Sequence, residues 1–257
     1  MALEIRHVSK VFEGTKKETL QNINLTVENG EFICIVGPSG CGKSTLLNQV
    51  AGLDTPTAGE IFLDGVKITR PGSERMVMFQ ESALYPWLTV KENVVFGMKL
   101  AGLLKEEQEK KAEYYLKMVQ LWDFRNYAIH EISGGMKQRT ALARALTLDC
   151  KVLLMDEPFS ALDKQTTNML REELEQIWEK THKTIFFITH SVEEAVYFAD
   201  RVVILSDNPG TIKEIVKIDL QRPRKIDSDE FITLRSTILD LVQREVHKIA
   251  ENEYDKE

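Results

Sequence analysis

The stretch with the clearest chemical meaning is a loop at positions 37–45, which reads Gly37, Pro38, Ser39, Gly40, Cys41, Gly42, Lys43, Ser44 and Thr45. It follows the P-loop pattern G-x-x-x-x-G-K-[ST]. Glycine lets the backbone wrap closely around a phosphate chain, and amide groups at a helix start point at the bound anion. Lys43 adds a positive charge for the outer phosphates, and the Ser44 hydroxyl can reach a magnesium ion. The order of the glycines differs from G-x-G-x-x-G, which disfavours a dinucleotide-binding loop.

A second chemical signal is the pair of acids Asp156 and Glu157, which follows an apolar run at 152–155. A buried strand that ends in two acids is costly unless those acids meet a cation or a reactive group. Beside a P-loop, Asp156 is expected to support Mg²⁺ through its water shell. Glu157 is expected to polarise a water molecule for attack on the terminal phosphate. The alternative is that the two acids merely cap a helix that begins after the strand.

A third signal is Ser133, Gly134 and Gly135, which precede a good helix-forming run at 140–146. Serine suits a helix N-cap, and the glycine pair lets backbone amides face an anion. The chain therefore has two phosphate-binding helix starts but only one P-loop. The economical explanation is that the second start completes the nucleotide pocket of a partner subunit.

These residues need a sheet and helices to position them. Alternation of apolar and polar residues at 3–12 and 20–27 predicts half-exposed antiparallel strands. Near-continuous apolar runs at 32–36, 152–155, 184–188 and 202–205, separated by helix-like stretches, predict a parallel sheet that is covered on both faces. A strongly charged amphipathic helix is predicted at 105–121.

The predicted fold class is therefore α/β, a P-loop NTPase with a mixed, largely parallel sheet core. Residues 1–82 and 149–218 are predicted to form this core together with an antiparallel β subdomain. Residues 83–148 are predicted to form an inserted helical subdomain, and residues 219–257 a C-terminal helical tail. The tail helix places five apolar residues on one face: Phe231, Leu234, Ile238, Leu241 and Val242.

Composition limits the possible partners. The 257-residue chain has a formal charge of −7, which argues against nucleic acid as its main partner. Its three cysteines, Cys34, Cys41 and Cys150, are widely spaced, which argues against a disulfide framework or a zinc site and fits a reducing cytosol. No apolar run approaches the roughly 20 residues that a membrane helix needs. Any work at a membrane is expected to go through a bound protein.

From about residue 3 to residue 245 the chain resembles the nucleotide-binding subunit of an ABC transporter. The motifs stand in that family's order: the P-loop, Gln80, the signature at 132–139, Asp156 with Glu157, the run Ser160-Ala161-Leu162-Asp163, and His190 after a strand. The resemblance implies an ABC ATPase cassette, in which two cassettes close head-to-tail on two ATP molecules. Ile132 and Met136 depart from the commonest signature residues, but neither change removes the amides of positions 133–135.

The resemblance also implies roles for individual residues. Ser133, Gly134 and Gly135 would contact the terminal phosphate held by the partner. Gln80 would sense Mg²⁺ and the attacking water, and would link the site to the helical subdomain.

Three further residues receive roles by the same resemblance. Asp163 would lie at the dimer seam, and His190 would steady the terminal phosphate. Phe12 occupies the position of the aromatic that stacks on adenine, whereas the pattern alone favours simple packing between strands.

Residues 78–87, 133–139 and 222–224 resemble a narrower subgroup, which imports nitrate, sulfonates, taurine, bicarbonate and similar small solutes. This implies ATP and Mg²⁺ as ligands. It also implies a second cassette, expected to be an identical copy, integral membrane permease subunits and, indirectly, a solute-binding protein. The chain is then expected to be peripheral, at the cytoplasmic face of the cell membrane.

Three alternatives stay open at this point. A soluble ABC ATPase, such as one serving iron–sulfur cluster assembly, would carry the same motifs without a membrane subunit. A P-loop kinase would not explain the residues at 133–135. Tyr85, Trp87 and Leu88 either line a groove for a cytoplasmic helix of the membrane subunit or fill the helical subdomain's own core.

Overall fold

The computed structural model describes residues 3–15, 17–160, 162–207 and 209–254, without the side chains of 247–254. Ala161 of the predicted run 160–163 lies outside the described residues. The elements in chain order are β1 (Leu3–Val11), β2 (Glu18–Val27), β3 (Phe32–Val36), α1 (Lys43–Ala51), β4 (Ala58–Leu63), β5 (Val66–Lys67), β6 (Arg75–Met78), α2 (Val90–Leu100), α3 (Lys105–Met118), α4 (Gly134–Leu146), β7 (Val152–Asp156), α5 (Lys164–Thr181), β8 (Thr184–Ile188), α6 (Val192–Phe198), β9 (Arg201–Leu205), β10 (Ile212–Lys217) and α7 (Asp229–Tyr254).

The chain divides into two compact units. The P-loop unit comprises Met1–Gly72 and Lys183–Glu257, and the signature unit comprises Ser73–His182. The predicted helical subdomain, 83–148, lies inside the signature unit, so its own boundaries stay a prediction.

Two sheets build the P-loop unit. The first is antiparallel, with the order β2-β1-β4-β5, as the alternating pattern predicts. In the second, β3 pairs in parallel with both β8 and β9, and β10 pairs antiparallel with β9. Every residue of β3 and of β8 is buried, which explains their continuous apolar runs. The sheet is therefore mixed. The edge strand β10 escaped the sequence patterns because three of its six residues are charged, so it forms no continuous apolar run.

The signature unit combines a parallel strand pair, β6 with β7, and several helices. The charged helix predicted at 105–121 forms as α3 and ends at Met118. Among the described residues, no helix is both long enough and apolar enough to cross a bilayer.

The predicted tail helix forms as α7, which packs on α6. Phe231 and Ile238 are fully buried on its inner face. Before this helix, the buried guanidinium of Arg224 donates to the carbonyls of Val196, Tyr197 and Ala199 at the end of α6. A cation at a helix C-terminus satisfies carbonyls that have no partner within the helix, so the tail is anchored to the P-loop unit.

Candidate nucleotide site

The P-loop connects the buried strand β3 to α1. Gly40 and Gly42 have φ values of +81° and +98°, a region that side chains rarely adopt. A Cβ on Gly42 would lie 2.6 Å from Leu20 Cδ2, so the site excludes a larger residue. No side chain caps the start of α1. Its first amide groups are therefore available to an anion held by the loop.

Lys43 is only 5% exposed, and its charge is directed at the loop. Nζ donates to the carbonyls of Gly37 at 2.9 Å and Pro38 at 2.7 Å. An ammonium group held in this way is positioned to meet a phosphate that the loop encloses. Burial raises the pKa of the Cys41 thiol, although the Lys43 charge opposes that shift. Cys41 is therefore a packing residue and not a nucleophile.

The remaining loop residues differ in accessibility. Ser39 and Ser44 are exposed, and Thr45 is half-buried. An exposed hydroxyl at the start of α1 is the arrangement that the Mg²⁺ prediction for Ser44 requires. Within the described residues, no group of three or more His, Cys, Asp or Glu side chains could hold a metal ion.

The two acids lie at the end of β7 in the signature unit. Asp156 is buried and Glu157 is half-buried. Glu157 has a φ of +48°, a left-handed backbone that is uncommon outside glycine and occurs often at functional sites. The Gln80 amide donates from Nε2 to Glu157 Oε2 at 3.2 Å. The structure thus brings together two predicted catalytic residues that are far apart in the sequence.

The alternative in which Asp156 and Glu157 cap a helix is wrong. A turn follows them, in which Ser160 donates from both N and Oγ to the Glu157 carbonyl. The next helix, α5, begins at Lys164 and is capped by Asp163, whose Oδ1 accepts from Thr166 N at 2.9 Å. The Thr166 hydroxyl and amide lower the pKa of Asp163. Asp163 is exposed, although its second carboxylate oxygen, Oδ2, accepts from the Thr166 hydroxyl at 2.6 Å.

The signature residues form the start of α4. Ser133 is the N-cap, and its Oγ accepts from Met136 N at 3.3 Å. Ser133 and Gly134 are exposed, and a Cβ on Gly134 would meet no described atom within 4 Å. Further along the helix, Gln138 Nε2 donates to the Pro158 carbonyl at 3.1 Å. This bond links the signature helix to the turn that follows Glu157, and the sequence analysis missed it.

His190 lies in the P-loop unit, between β8 and α6, and is exposed. Its neighbours are fixed from both sides. Thr189 Oγ1 donates to Glu194 Oε2 at 2.5 Å, and Ser191 caps α6 by accepting from Glu194 N. Thr189 N also donates to the Ile35 carbonyl at the end of β3. The residue before the histidine is therefore bonded to the strand that leads into the P-loop.

Phe12 follows the last residue of β1 and is 44% exposed. Lys10 Nζ lies 4.9 Å from the centroid of its ring. The ammonium is held in turn by Asp54 and by the Thr55 carbonyl. An aromatic ring with this exposure keeps surface for a flat ligand, as the stacking prediction requires.

A groove of about 890 Å³ lies within the signature unit. Its lining mixes apolar and charged residues and includes Tyr85, Phe96, Leu100, Lys111 and Arg144. Of the three residues predicted for such a groove, only Tyr85 lines it. Trp87 is 75% exposed, so it does not fill the subdomain core either, although its ring contacts Tyr85 with centroids 5.5 Å apart.

Comparisons with known proteins agree with this architecture. The ABC transporter family model matches residues 20–160. An uncharacterised ABC transporter ATP-binding protein from Methanocaldococcus jannaschii is 51% identical over 96% of this chain and 93% of its own length. The nitrate import ATP-binding protein NrtD from Synechocystis sp. is 51% identical over 86% of this chain and 84% of its own. The aliphatic sulfonates import ATP-binding protein SsuB from Bacillus anthracis is 45% identical over 93% of this chain and 95% of its own.

Among solved structures, an ATP-binding cassette in a dimeric post-hydrolysis state with ADP and Pi superposes with a TM-score of 0.77 at 32% identity. The match covers 85% of this chain and all of that one. The chain therefore belongs to the ABC transporter family, as an ATP-binding, ATP-hydrolysing cassette.

Proposed function

We propose that this cassette powers an importer for a small solute of the nitrate or sulfonate type. The observation that carries the proposal is the similarity to two import ATP-binding proteins, one for nitrate and one for aliphatic sulfonates, over more than four fifths of the chain. Bicarbonate and taurine belong to the same range of solutes.

Within the nucleotide site, residues 37–45 hold the phosphate chain of ATP, and Lys43 meets its outer phosphates. Ser44, Asp156 and Gln80 would hold Mg²⁺, which neutralises charge on the phosphates during transfer. Support comes from the exposed Ser44 hydroxyl and from the buried Asp156 carboxylate at the end of β7.

Glu157 acts as the general base for the attacking water. Its left-handed backbone and its bond to Gln80 hold the carboxylate in one orientation. The bond uses the amide NH₂ of Gln80 and leaves the carbonyl oxygen for Mg²⁺ or water. His190 steadies the terminal phosphate, and Phe12 stacks on the adenine ring.

A second copy of the cassette completes each site through Ser133, Gly134 and Gly135, with Asp163 at the seam. Gly134 supports this part of the proposal. Its backbone is not in the left-handed region, and a Cβ there would clash with nothing in the described chain. A glycine that the chain itself does not require is explained by close approach of a ligand from outside.

Permease subunits are proposed to seat a cytoplasmic helix in the groove of the signature unit, which would place the cassette peripherally at the cytoplasmic face of the membrane. The lining of the groove combines apolar side chains such as Phe96 and Leu100 with charged ones such as Lys111 and Arg144, a composition that suits an amphipathic helix. A solute-binding protein would deliver the solute to the permease at the opposite face of the membrane.

The experiment is purification of the tagged chain from detergent extracts of its host. The expected result is co-purification with integral membrane proteins and with a binding protein whose affinity for nitrate and for alkanesulfonates can be measured by calorimetry. A chain that purifies only from soluble fractions would contradict the transport proposal. A binding protein that takes none of nitrate, alkanesulfonates, taurine and bicarbonate would contradict the solute class.

A further inference from the structure

The segment after Gln80 runs through residues 81–85, and with Gln80 itself it has no regular secondary structure. Residues 79–84 form neither helix nor strand, and Gln80 and Glu81 are exposed. Ala83 has a φ of +43°, an uncommon conformation for a residue with a side chain. Such a segment keeps one conformation only if its surroundings hold it.

Three contacts within the signature unit hold this segment. At its start, Gln80 donates to Glu157. In the middle, Arg144 donates from Nη1 to the Ala83 carbonyl at 2.8 Å and from Nη2 to the Ser82 carbonyl at 3.0 Å. At its end, Tyr85 N donates to Asn93 Oδ1 at 2.8 Å, and Asn93 Nδ2 donates back to the Tyr85 carbonyl at 3.1 Å.

Arg144 suits the middle contact better than any other cation would. Its guanidinium presents two parallel donors to two successive carbonyls, a geometry that the single ammonium of lysine cannot match. The guanidinium also lies 5.8 Å from the centroid of the Tyr85 ring. Burial lowers the pKa of Arg144, yet an arginine remains charged in a protein.

Because Arg144 lies on α4, its contact with the segment after Gln80 connects that segment to the signature helix. This 13-residue helix begins at the signature, is bonded through Gln138 to the turn after Glu157, and carries Arg144 in its last turn. Arg144, Ala83 and Tyr85 also line the groove. One helix thus connects the signature, the catalytic turn, the segment after Gln80 and the groove.

We propose that Arg144 is a positioning residue that fastens the segment after Gln80 to the signature helix, so that Gln80 stays against Glu157. A permease helix seated in the groove would then move Gln80 through this contact. The inference rests on the proposed role of Gln80 in hydrolysis.

Steady-state ATPase kinetics of the purified full chain test it with Arg144→Lys. The expected result is an about tenfold lower kcat with an unchanged KM for ATP, within the roughly hundredfold loss that a misplaced catalytic group can cause. The matched control is Arg125→Lys. Arg125 also donates to a carbonyl, that of Trp122 at 2.9 Å, and lies 4.6 Å from the Trp122 ring, but it does not touch the segment after Gln80. The control should keep the wild-type kcat.

A double-mutant cycle with Gln80→Ala separates positioning from a merely structural effect. If Arg144 acts through Gln80, Arg144→Lys should cause no further loss of kcat in the Gln80→Ala background. Additive losses, or a fall in kcat that follows only a lower melting temperature, would overturn the inference. Equal kcat for the wild type and Gln80→Ala would instead refute the proposed role of Gln80, which is a distinguishable outcome.

Ala83→Gly provides a second variant that leaves α4 unchanged. Glycine releases the restriction at φ +43° and lets the segment sample other conformations. Amide hydrogen exchange of residues 79–85 should accelerate in Ala83→Gly and in Arg144→Lys, while α4 keeps its protection. Exchange rates equal to the wild type in both variants would contradict the proposal. If Arg144→Lys proves poorly stable, Ala83→Gly alone still provides this test.

Discussion

The two helix starts that the sequence marks for phosphate are built in opposite ways. The start of α1 has no side-chain cap, and its glycine Gly42 is buried and is fixed by a positive φ and by Leu20. The start of α4 is exposed and capped by Ser133, and Gly134 is constrained by nothing in the described chain. The first start is shaped by its own unit, whereas the second leaves an exposed surface, which we propose meets a ligand that another molecule brings.

The largest effect is expected for Glu157→Gln, which tests the role of the exposed start of α4. Loss of the general base should lower kcat by about 10²–10⁴-fold while ATP still binds. Because the exposed signature start would then face uncleaved ATP, the variant should accumulate as an ATP-dependent dimer in size-exclusion chromatography. Turnover near the wild-type rate would refute the general base, and a monomer with ATP bound would refute the role of the second start.

Replacing Gly42 and Gly134 with alanine tests the difference between the two helix starts most directly. Gly42→Ala must adopt φ +98° against Leu20, so it should cost about 1–3 kcal/mol of stability and abolish ATP binding by the single chain. Gly134→Ala should leave the free energy of unfolding unchanged or raise it by about 0.5–1 kcal/mol, because alanine favours a helix over glycine.

Calorimetric ATP binding and ATPase rates complete this pair of variants. Gly134→Ala should bind ATP normally as a single chain and lose hydrolysis, since its methyl group would meet the phosphate of the partner. Equal behaviour of the two variants would show that the two starts do not differ as the structure indicates.

Two buried glutamines extend the comparison to the bodies of the same helices. Gln49 on α1 is 1% exposed, and within the described part of the chain neither its Oε1 nor its Nε2 has a hydrogen-bond partner. Gln138 on α4 is also buried but donates to the Pro158 carbonyl. An unsatisfied buried amide costs roughly 1–3 kcal/mol, so Gln49→Leu should stabilise the chain by about that amount.

The same change at Gln138 should have the opposite sign. Gln138→Leu removes the partner of a buried carbonyl and should destabilise by about 1–3 kcal/mol. Urea denaturation of both variants gives the two differences. If both variants or neither variant were more stable than the wild type, hydrogen bonding would not explain a difference between Gln49 and Gln138.

The smallest predicted change in stability concerns a third helix start, that of α2. Thr89 and Glu92 form a capping box there, and the Thr89 amide and hydroxyl lower the pKa of Glu92. A carboxylate with a lowered pKa in the folded state stabilises above its unfolded pKa of about 4.3 and loses that effect as the pH falls through the folded value. Glu92→Gln should therefore destabilise by a few tenths of a kcal/mol at pH 7, and this difference should vanish at low pH. A difference independent of pH in denaturation curves would contradict this cause.

The candidate chemical residues could be predicted from the sequence because each motif is short and the ligand dictates its residue types. The P-loop pattern needs Gly37, Gly42 and Lys43 in one loop, and the sequence shows them in order. The family order of the motifs then supplied roles for Gln80 and His190 that no local pattern carries. The buried strands were predictable too, because continuous apolar runs have few other uses.

Only the tertiary structure decided how distant residues hold one another. Gln80 and Glu157, or Arg144 and the Ser82 carbonyl, are separated by many tens of residues, and no periodicity relates such pairs. The left-handed backbone of Glu157 and the missing partner of Gln49 depend equally on the whole packing arrangement. The sequence by itself determined that the chain binds and hydrolyses ATP. The fold decided that one helix, α4, joins the signature to the catalytic turn.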